Sequence, residues 1–256
     1  MSFLNKKILI TGSTKGLGKE LAIEFDKLGS NLVIVGRSKK IIYEMKRTFK
    51  NAKKHLFFDG DLMSETVSKN LISKINKKLK KIDIIIHCLG GSFGINSPLE
   101  NWKNFQKSLK GNLGVAIDIN KIFIPMMIKK KQGNIIHVGS VVSHEANASV
   151  PYVTSKASVS AYVRVMGNYL ANYGITMSGI LPGAFYGDQN AMSRFKYYKP
   201  EEYKKFLKLL PQSKMPLAKD YIKIIKLLSS HQSKIFSGSM IYLDQGQSKT
   251  IHQINV

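Results

Sequence analysis

Short apolar runs alternate with amphipathic stretches from the first residues of the chain. The runs are apolar or β-branched throughout, as expected for the strands of a sheet that is covered on both faces. The first amphipathic stretch repeats apolar residues at helical spacing (Leu17, Leu21, Phe25 and Leu28) and meets a stop signal at Gly29. The seven predicted strands are Lys7–Thr11, Asn31–Val35, His55–Phe58, Ile82–His87, Asn134–Val138, Ile175–Leu181 and Met240–Leu243.

This alternation of strand and helix predicts an α/β fold, a single Rossmann-type doubly wound parallel sheet of about seven strands with helices on both faces. No linker, repeat or low-complexity tract divides the 256 residues, so residues 1–256 are predicted to form one domain. The lysine- and tyrosine-rich stretch 186–214 has no strand character. We expect it to form a small substrate lid beyond a strand's carboxyl end, where open α/β sheets bind ligands.

Composition and segment lengths favour a soluble, cytoplasmic protein. Residues 111–128 are apolar enough to suggest a membrane span, but Asp118, Asn120 and Lys121 lie in the middle of this segment. Charges at the centre of a span cost several kcal/mol, so a buried helix is expected instead. The N-terminus has no apolar run long enough for a signal peptide. The single cysteine, Cys88, excludes an internal disulfide and suits a reducing compartment.

The formal net charge of +24 raises the alternative of nucleic-acid binding. Only four basic residues are arginines, and the lysines are scattered through every predicted helix. Nucleic-acid recognition favours arginine, whose guanidinium forms two parallel hydrogen bonds. A solvated lysine surface is therefore the preferred interpretation, and nucleic acid is not an expected partner.

A glycine-rich turn follows the first predicted strand and opens a helix, with the sequence Thr-Gly-Ser-Thr-Lys-Gly-Leu-Gly at residues 11–18. Gly12 permits a tight turn, Gly16 lets backbone amides approach a pyrophosphate, and Gly18 lets the helix pack closely on the strand. The free amides and the dipole of a helix N-terminus favour an anion. The turn therefore predicts a dinucleotide site.

The end of the second strand indicates which dinucleotide is bound. An NAD site usually has a carboxylate here for the ribose 2′-hydroxyl, but the sequence is Val35-Gly36-Arg37. Arg37 and Lys15 could instead neutralise a 2′-phosphate. The expected cofactor is NADP(H).

With these motifs, the chain resembles the short-chain dehydrogenase/reductase family over nearly its whole length. The turn has that family's TGxxxGxG spacing, and further motifs follow in the family's order: Asp61-Leu62, Cys88-Leu89-Gly90, Asn112, Ser140, the YxxxK pair Tyr152/Lys156, and Pro182-Gly183. The resemblance implies catalysis by Asn112, Ser140, Tyr152 and Lys156. It also implies cofactor contacts from Gly12, Thr14, Lys15, Gly16, Leu17, Gly18, Arg37, Asp61, Leu62, Leu89, Gly90, Tyr152, Lys156, Pro182 and Gly183.

The Tyr152/Lys156 pair also makes chemical sense on its own. Positions i and i+4 share one helix face, so the ammonium can approach the phenol. That cation, with the positive nicotinamide of the oxidised cofactor, should lower the phenol pKa from its usual value near 10. Tyr152 would then act as general acid/base, Ser140 would hydrogen-bond the substrate oxygen, and Asn112 would hold a water that relays protons to Lys156.

Several positions depart from the family pattern. His87-Cys88 replaces the usual asparagines, and residues 184–187 (AFYG) lack the threonine that usually follows Pro-Gly. These changes suggest a specialised member of the family. No metal site is expected, because the histidines show no ligand spacing. These histidines are His55, His87, His137, His144, His231 and His252.

Three functions stay open. The first is a reductase or dehydrogenase that transfers a hydride between NADP(H) and a ketone or secondary alcohol on a small or carrier-linked substrate. The second is an enzyme acting on a nucleotide-linked or phosphorylated sugar, favoured by the basic lid residues Arg194, Lys196 and Lys199. The third, disfavoured by the intact Ser140 and Tyr152, is a non-catalytic NADP(H) sensor or RNA-binding protein.

Self-association is expected from two long predicted helices, Pro98–Lys130 and Val150–Tyr173, which carry apolar or small residues on more than one face. One face must cover the sheet, and the surplus needs another partner. The resemblance implies pairing of these helices across a two-fold axis, with a second contact through the C-terminal strand. We expect a homotetramer, or otherwise a dimer. The residues concerned are Val115, Ile119, Ile122, Met126, Ala157, Ala161 and Val165.

Overall fold

The computed structural model describes residues 2–250, so His252 lies outside the described residues. Its seven strands form one sheet in which every neighbouring pair is parallel, in the order β3-β2-β1-β4-β5-β6-β7. The predicted fold class is therefore confirmed. The strands are β1 Lys7–Thr11, β2 Asn31–Gly36, β3 Leu56–Asp59, β4 Ile84–His87, β5 Gly133–Val138, β6 Ile175–Pro182 and β7 Met240–Leu243.

Helices cover both faces of the sheet and enclose two apolar cores. One core lies under α3, α5 and α6, and the other under α1, α2 and α9. This double cover explains why the central strands are continuous apolar runs. The helices are α1 Gly16–Lys27, α2 Lys39–Thr48, α3 Glu65–Lys78, α4 Trp102–Leu109, α5 Val115–Lys130, α6 Val150–Ala171, α7 Ala191–Tyr198, α8 Pro200–Lys208 and α9 Ile222–Leu228.

The two long helices differ from their predicted bounds. The first begins at Trp102 rather than Pro98, because the Asn101 side chain caps it by accepting a hydrogen bond from the Asn104 amide at 3.0 Å. A π-helical turn, Lys110–Gly114, separates α4 from α5. The second long helix ends at Ala171 and not at Tyr173. The stretch 186–214 contains the two short helices α7 and α8.

The continuous helical segment Trp102–Lys130 is long and apolar enough to cross a membrane by length and composition alone. Half of its most apolar window is buried inside the fold. The core helices of soluble proteins meet the same criterion, so this segment is weak evidence for a membrane span.

The surplus apolar surface on these helices is smaller than predicted. Val115 and Ile119 are buried in the core, so they cover the sheet and are not available to a partner. Ile122 and Val165 are 38% and 68% exposed. Ala161 is also exposed, whereas Met126 and Ala157 are half-buried. The prediction named residues on more than one face without dividing them, and the structure has Val115 and Ile119 on the face that covers the sheet.

A polar cluster lies inside the core, under α5 and α6. His87 on β4 and His137 on β5 occupy paired positions in the sheet, and their ring centroids lie 4.6 Å apart. His87 Nε2 lies 3.0 Å from Asn120 Oδ1, and the Asn120 amide donates to the Tyr162 hydroxyl at 3.2 Å. Within residues 2–250, His87 Nδ1 and His137 Nε2 have no hydrogen-bond partner. Burial lowers the pKa of both imidazoles, that of His87 to about 4.

We expect His87→Asn to weaken the dependence of stability on pH. The pKa of His87 falls from 6.5 to about 4 on folding, so between these values the unfolded chain binds a proton that the folded chain does not. The free energy of unfolding therefore decreases as pH falls below 6.5, and this group accounts for up to about 3 kcal/mol of that decrease.

Urea unfolding at pH 7 and pH 4.5 measures this effect. His231→Asn is the control, because His231 is exposed. Equal losses of stability in wild type and His87→Asn on acidification would contradict the assignment. The depressed pKa of His137 next to it should leave part of the pH dependence in place.

Candidate active site

The candidate site lies along the edge of the sheet formed by the carboxyl ends of its strands. Because all the strands are parallel, the segments that leave them meet at this edge. Gly12 follows β1, Gly90 follows β4, Ser140 follows β5 and Gly183 follows β6. The order of strands thus brings together motifs as far apart in sequence as Gly12 and Gly183.

The glycine turn has the predicted close geometry. Gly12 has a φ of +66°, and a Cβ atom there would lie 3.0 Å from the backbone nitrogen of Leu89. A Cβ atom on Gly18 would overlap the carbonyl oxygen of Gly12. The amides of Leu17 and Gly18 have no acceptor within residues 2–250. This helix N-terminus therefore still has the donors that an anion needs.

The end of β2 has no space for a side chain. A Cβ atom on Gly36 would overlap the side chain of Thr14, which is itself buried. The Arg37 side chain is 75% exposed and its Nη1 lies 3.8 Å from Asp61 Oδ2, a loose pair that leaves the guanidinium accessible. Lys15 is exposed at the start of α1. These positions fit a phosphate-bearing ribose better than one that needs a carboxylate.

Two predicted cofactor residues after β3 differ in exposure. The half-buried Asp61 carboxylate accepts a hydrogen bond from the Met63 amide at 3.0 Å, which fixes its orientation. The Leu62 side chain is buried in the core. A cofactor could therefore contact Leu62 only through its backbone.

Lys156 is buried at the centre of the site. Its Nζ donates to the Val138 carbonyl at 2.8 Å and lies 6.0 Å from the centroid of the Tyr152 ring. A Cβ atom on Gly90 would come within 3.1 Å of the same Nζ, so glycine is needed there for the lysine to approach. Desolvation lowers the pKa of Lys156 to about 8, which brings its ammonium close to titration at neutral pH.

Tyr152 and Ser140 are neighbours. A hydrogen bond from Ser140 favours the phenolate of Tyr152, but burial outweighs it and raises the pKa of the phenol. The expected depression of this pKa by Lys156 is therefore wrong for the protein alone, because desolvation disfavours the charged phenolate more strongly. The Ser140 hydroxyl also accepts from the Val142 amide, at 3.4 Å.

The Asn112 side chain is fully engaged with the protein. Its oxygen accepts from the Gly91 amide at 2.9 Å, and its nitrogen lies within 3.1 Å of three oxygens, on Gly91, Ser108 and Ser155. Asn112 also sits in the π-helical turn, a feature that is common at functional sites. Any contact between Asn112 and a relayed water must therefore use its backbone.

Comparison with known families identifies the chain. The short chain dehydrogenase family matches residues 6–197, three quarters of the sequence.

The chain belongs to the short chain dehydrogenase family.

The predicted resemblance is thereby confirmed. Curated relatives in this family are enzymes, and they match the chain almost from end to end. The 3-oxoacyl-[acyl-carrier-protein] reductase FabG of Buchnera aphidicola subsp. Schizaphis graminum is 27% identical over 252 residues, covering 98% of this chain and all of the relative. The glucose 1-dehydrogenase of Gluconobacter oxydans is also 27% identical, covering 95% of this chain and 92% of the relative. The chain is an oxidoreductase of this family, as predicted.

Solved structures of other short chain dehydrogenases share the fold. A putative gluconate dehydrogenase from Agrobacterium tumefaciens superposes with a TM-score of 0.86 at 24% identity, covering 98% of both chains. ElxO with NADP bound superposes with a TM-score of 0.85 at 22% identity, covering 95% of this chain and 99% of ElxO.

Two serines that the sequence analysis missed hold this dehydrogenase site together. The Ser108 hydroxyl donates to the Pro151 carbonyl and lies 3.0 Å from the Ser155 hydroxyl, which in turn lies 3.0 Å from the Tyr152 carbonyl. Both hydroxyls are buried, and with Asn112 they tie α4 to the first turn of α6. The available signal was the position of Ser155 on the predicted helix, directly before Lys156.

The end of β6 also differs from what the sequence suggested. The Gln247 side chain accepts from the Ala184 amide at 2.7 Å and donates to the Ala184 carbonyl at 3.0 Å. A Cβ atom on Gly183 would come 2.6 Å from the same side chain. Gln247 thus holds the backbone at Ala184 in place, within the stretch 184–187 that lacks the family's threonine, and no local sequence pattern predicted this contact.

The remaining polar candidates lie at the rim of the site. His144 is exposed, and its Nδ1 lies 2.8 Å from the Tyr242 hydroxyl. Asn147 is exposed and bonds to Glu145. Trp102, expected in packing or an interface, is 65% exposed at the start of α4. Within residues 2–250, no group of three or more His, Cys, Asp or Glu residues could hold a metal ion.

Proposed function

We propose that this chain is an NADP(H)-dependent oxidoreductase that transfers a hydride between the cofactor and a ketone or secondary alcohol on a small or carrier-linked substrate. The observation that carries the proposal is the buried Lys156 beside Tyr152 and Ser140, at the same sheet edge as the free N-terminus of α1. A buried lysine next to a tyrosine hydroxyl is an arrangement suited to proton transfer.

The residues at this edge fit NADP(H). The free amides of Leu17 and Gly18 would bind the pyrophosphate, and the exposed Arg37 and Lys15 would meet the 2′-phosphate. The crowded Gly36 position supports this choice, because it excludes a carboxylate at the end of β2. The other residues proposed to line the cofactor are Gly12, Thr14, Gly16, Gly18, Asp61, Leu62, Leu89, Gly90, Tyr152, Lys156, Pro182 and Gly183.

Proton transfer would proceed through Tyr152. The nicotinamide ring of a bound NADPH would supply the hydride. In the reductive direction Tyr152 donates its phenolic proton to the substrate oxygen, while Ser140 hydrogen-bonds that oxygen and orients the carbonyl. Lys156, with a pKa of about 8, would return a proton to the phenolate. Asn112 acts by holding the backbone around Gly91 and Lys156 in place.

The names of the relatives point to two different classes of substrate. One relative reduces a carrier-linked 3-oxoacyl group and another is a glucose dehydrogenase, so acyl and sugar substrates are both represented. A phosphosugar gains little support from the basic lid. Arg194 donates to the Gln189 carbonyl at 2.7 Å, and Lys199 pairs with Glu202 at 2.9 Å, so these two cations are already engaged locally.

We further propose that the protein is cytoplasmic, that residues 186–214 act as its lid, and that it assembles as a homotetramer with a dimer as the alternative. Cys88 is free in the structure, in keeping with a reducing compartment.

The exposed Ile122 and Val165 lie on the two long helices, and β7 is an edge strand of the sheet. These two surfaces suit two different contacts between copies.

Tyr152→Phe should abolish turnover while NADPH still binds. Loss of the acid/base group removes a contribution of about 10²–10⁴-fold, whereas the phenyl ring keeps its packing. A panel of ketones assayed by NADPH oxidation measures turnover, and NADPH fluorescence measures binding. Tyr169→Phe, an exposed tyrosine on the same helix, is the control. Retention of half the wild-type turnover by Tyr152→Phe would exclude the assigned role, whereas wild type that binds NADPH and turns over no ketone would favour a sensor.

Arg37→Ala should weaken NADPH binding and leave NADH binding nearly unchanged. Removing a charge-assisted hydrogen bond to the 2′-phosphate costs about 1.5–3 kcal/mol, and NADH has no such phosphate. Fluorescence titration with both cofactors makes the measurement. Arg47→Ala, an exposed arginine on α2, is the control. Equal losses for the two cofactors would show that Arg37 does not discriminate between them.

If the protein assembles as proposed, its molar mass in solution exceeds that of one chain. Light scattering at physiological salt should report a tetramer or dimer of the 28.7 kDa chain. Val165→Lys should lower that mass, because it places a charge on the most exposed apolar position of α6. A single 28.7 kDa species of the wild type at micromolar concentration would overturn the proposal.

A further inference from the structure

The chain segment that follows β6 returns to the glycine turn. From Gly183 it reaches the N-terminus of α1 at Asp188, and in the sheet the strands β5 and β4 lie between β6 and β1. The Gly16 amide donates to the Asp188 carbonyl at 2.7 Å. We call residues 187–190 the strap.

A side-chain ion pair fastens the strap to α1. Lys19 Nζ lies 2.6 Å from Asp188 Oδ2, and the two side chains are 30% and 45% exposed. Asp188 places a negative charge beside the helix N-terminus, where the proposed cofactor would carry its pyrophosphate. Lys19 neutralises that charge, so the carboxylate can sit beside an anion site without excluding the anion.

Close backbone packing supports the same contact. Gly187 is buried, and a Cβ atom on it would lie 3.2 Å from the Gly16 Cα and 3.1 Å from the Ala218 Cβ. At Gly187 the strap therefore packs against the turn with no side chain between them. Glycine at this position permits the close approach.

Both ends of the strap are anchored outside the glycine turn. Before it, Tyr186 donates to the Pro216 carbonyl and accepts from the Ala218 amide, both at 2.8 Å. At its end, the Asn190 side chain donates to the Phe185 carbonyl at 2.7 Å and caps α7 by accepting from the Ser193 amide. The contacts made by Asp188 in the middle can therefore open while the two ends stay in place.

We propose that the strap closes over the pyrophosphate site and that the Asp188–Lys19 ion pair sets how long the cofactor stays bound. The Gly16 amide is used by the strap, while the Leu17 and Gly18 amides stay available, so a closed strap is compatible with a bound phosphate. This proposal rests on the proposed binding of NADP(H). It assigns Asp188 and Lys19 as positioning residues that contact neither the nicotinamide nor the substrate.

An ion pair that holds the strap closed affects the rates of cofactor binding differently from a residue that contacts the cofactor directly. The cofactor must pass the strap both to enter and to leave. Weakening the ion pair that holds the strap closed therefore raises the association rate and the dissociation rate together. Loss of a direct contact would raise the dissociation rate alone. A partly exposed ion pair contributes modestly, so we expect each rate to rise about two- to five-fold.

Stopped-flow NADPH fluorescence on the full chain tests the proposal with Lys19→Met, Asp188→Asn and the double variant. All three variants should raise the dissociation rate to a similar degree, because all three break the same pair. The association rate should also rise in Asp188→Asn and in the double variant, and rise less in Lys19→Met, which leaves the Asp188 charge beside the anion site. Gly187→Val, which forces the strap from the turn without changing any charge, should have the same direction of effect. Lys69→Met breaks the exposed Lys69–Glu65 pair on α3 and should leave both rates unchanged.

The outcomes separate the strap from the cofactor proposal. Wild type that binds NADPH, with unchanged rates in all three ion-pair variants, would overturn the strap alone. Additive effects of the two single variants would show that they act independently, and would overturn it as well. Wild type that fails to bind NADPH would overturn the proposed function, and the strap with it.

Discussion

The parallel arrangement of seven strands is the constraint on which the rest of this protein depends. A parallel sheet needs a crossover after every strand, and the crossover helices bury both faces of the sheet. It also places every carboxyl end at one edge. Gly12, Gly90, Ser140 and Gly183 come together for this reason, although no local interaction links the four segments. The site is thus a product of topology before it is a product of individual side chains.

Burial then determines the chemistry at that edge. Lys156 has been removed from water and is held by the Val138 carbonyl, so its ammonium is close to losing a proton. The same desolvation raises the pKa of Tyr152. Each group is thereby disfavoured in its charged form, which brings the pKa of the lysine down towards neutral pH. A positively charged cofactor ring nearby would lower the pKa of the Tyr152 phenol.

The sequence predicted the strands well because buried parallel strands are continuous apolar runs, which are unambiguous when they are short and bounded by glycine. β3 begins one residue late because the His55 amide donates to the Ala52 carbonyl and closes the preceding turn instead of joining the strand. The YxxxK spacing and the glycine turn were visible for a similar reason, since each motif is local. Contacts such as His87–Asn120 and Ala184–Gln247 join residues 33 and 63 positions apart, and no periodicity reports them. The π-helical turn at Asn112 likewise had no signature in the sequence.

The contact between Gly36 and Thr14 restricts how this lineage could have changed its cofactor. A carboxylate at the end of β2 needs a side chain where the Thr14 methyl now lies, so acquiring it first would produce a clash. Shortening residue 14 first would leave a small void, which is a cheaper intermediate. The effect of a substitution at position 36 therefore depends on the residue at position 14. A change of preference between NADP(H) and NAD(H) through these two positions has a favoured order of mutations. A carboxylate at position 36 would therefore be acquired most readily after a change at position 14 of the glycine turn.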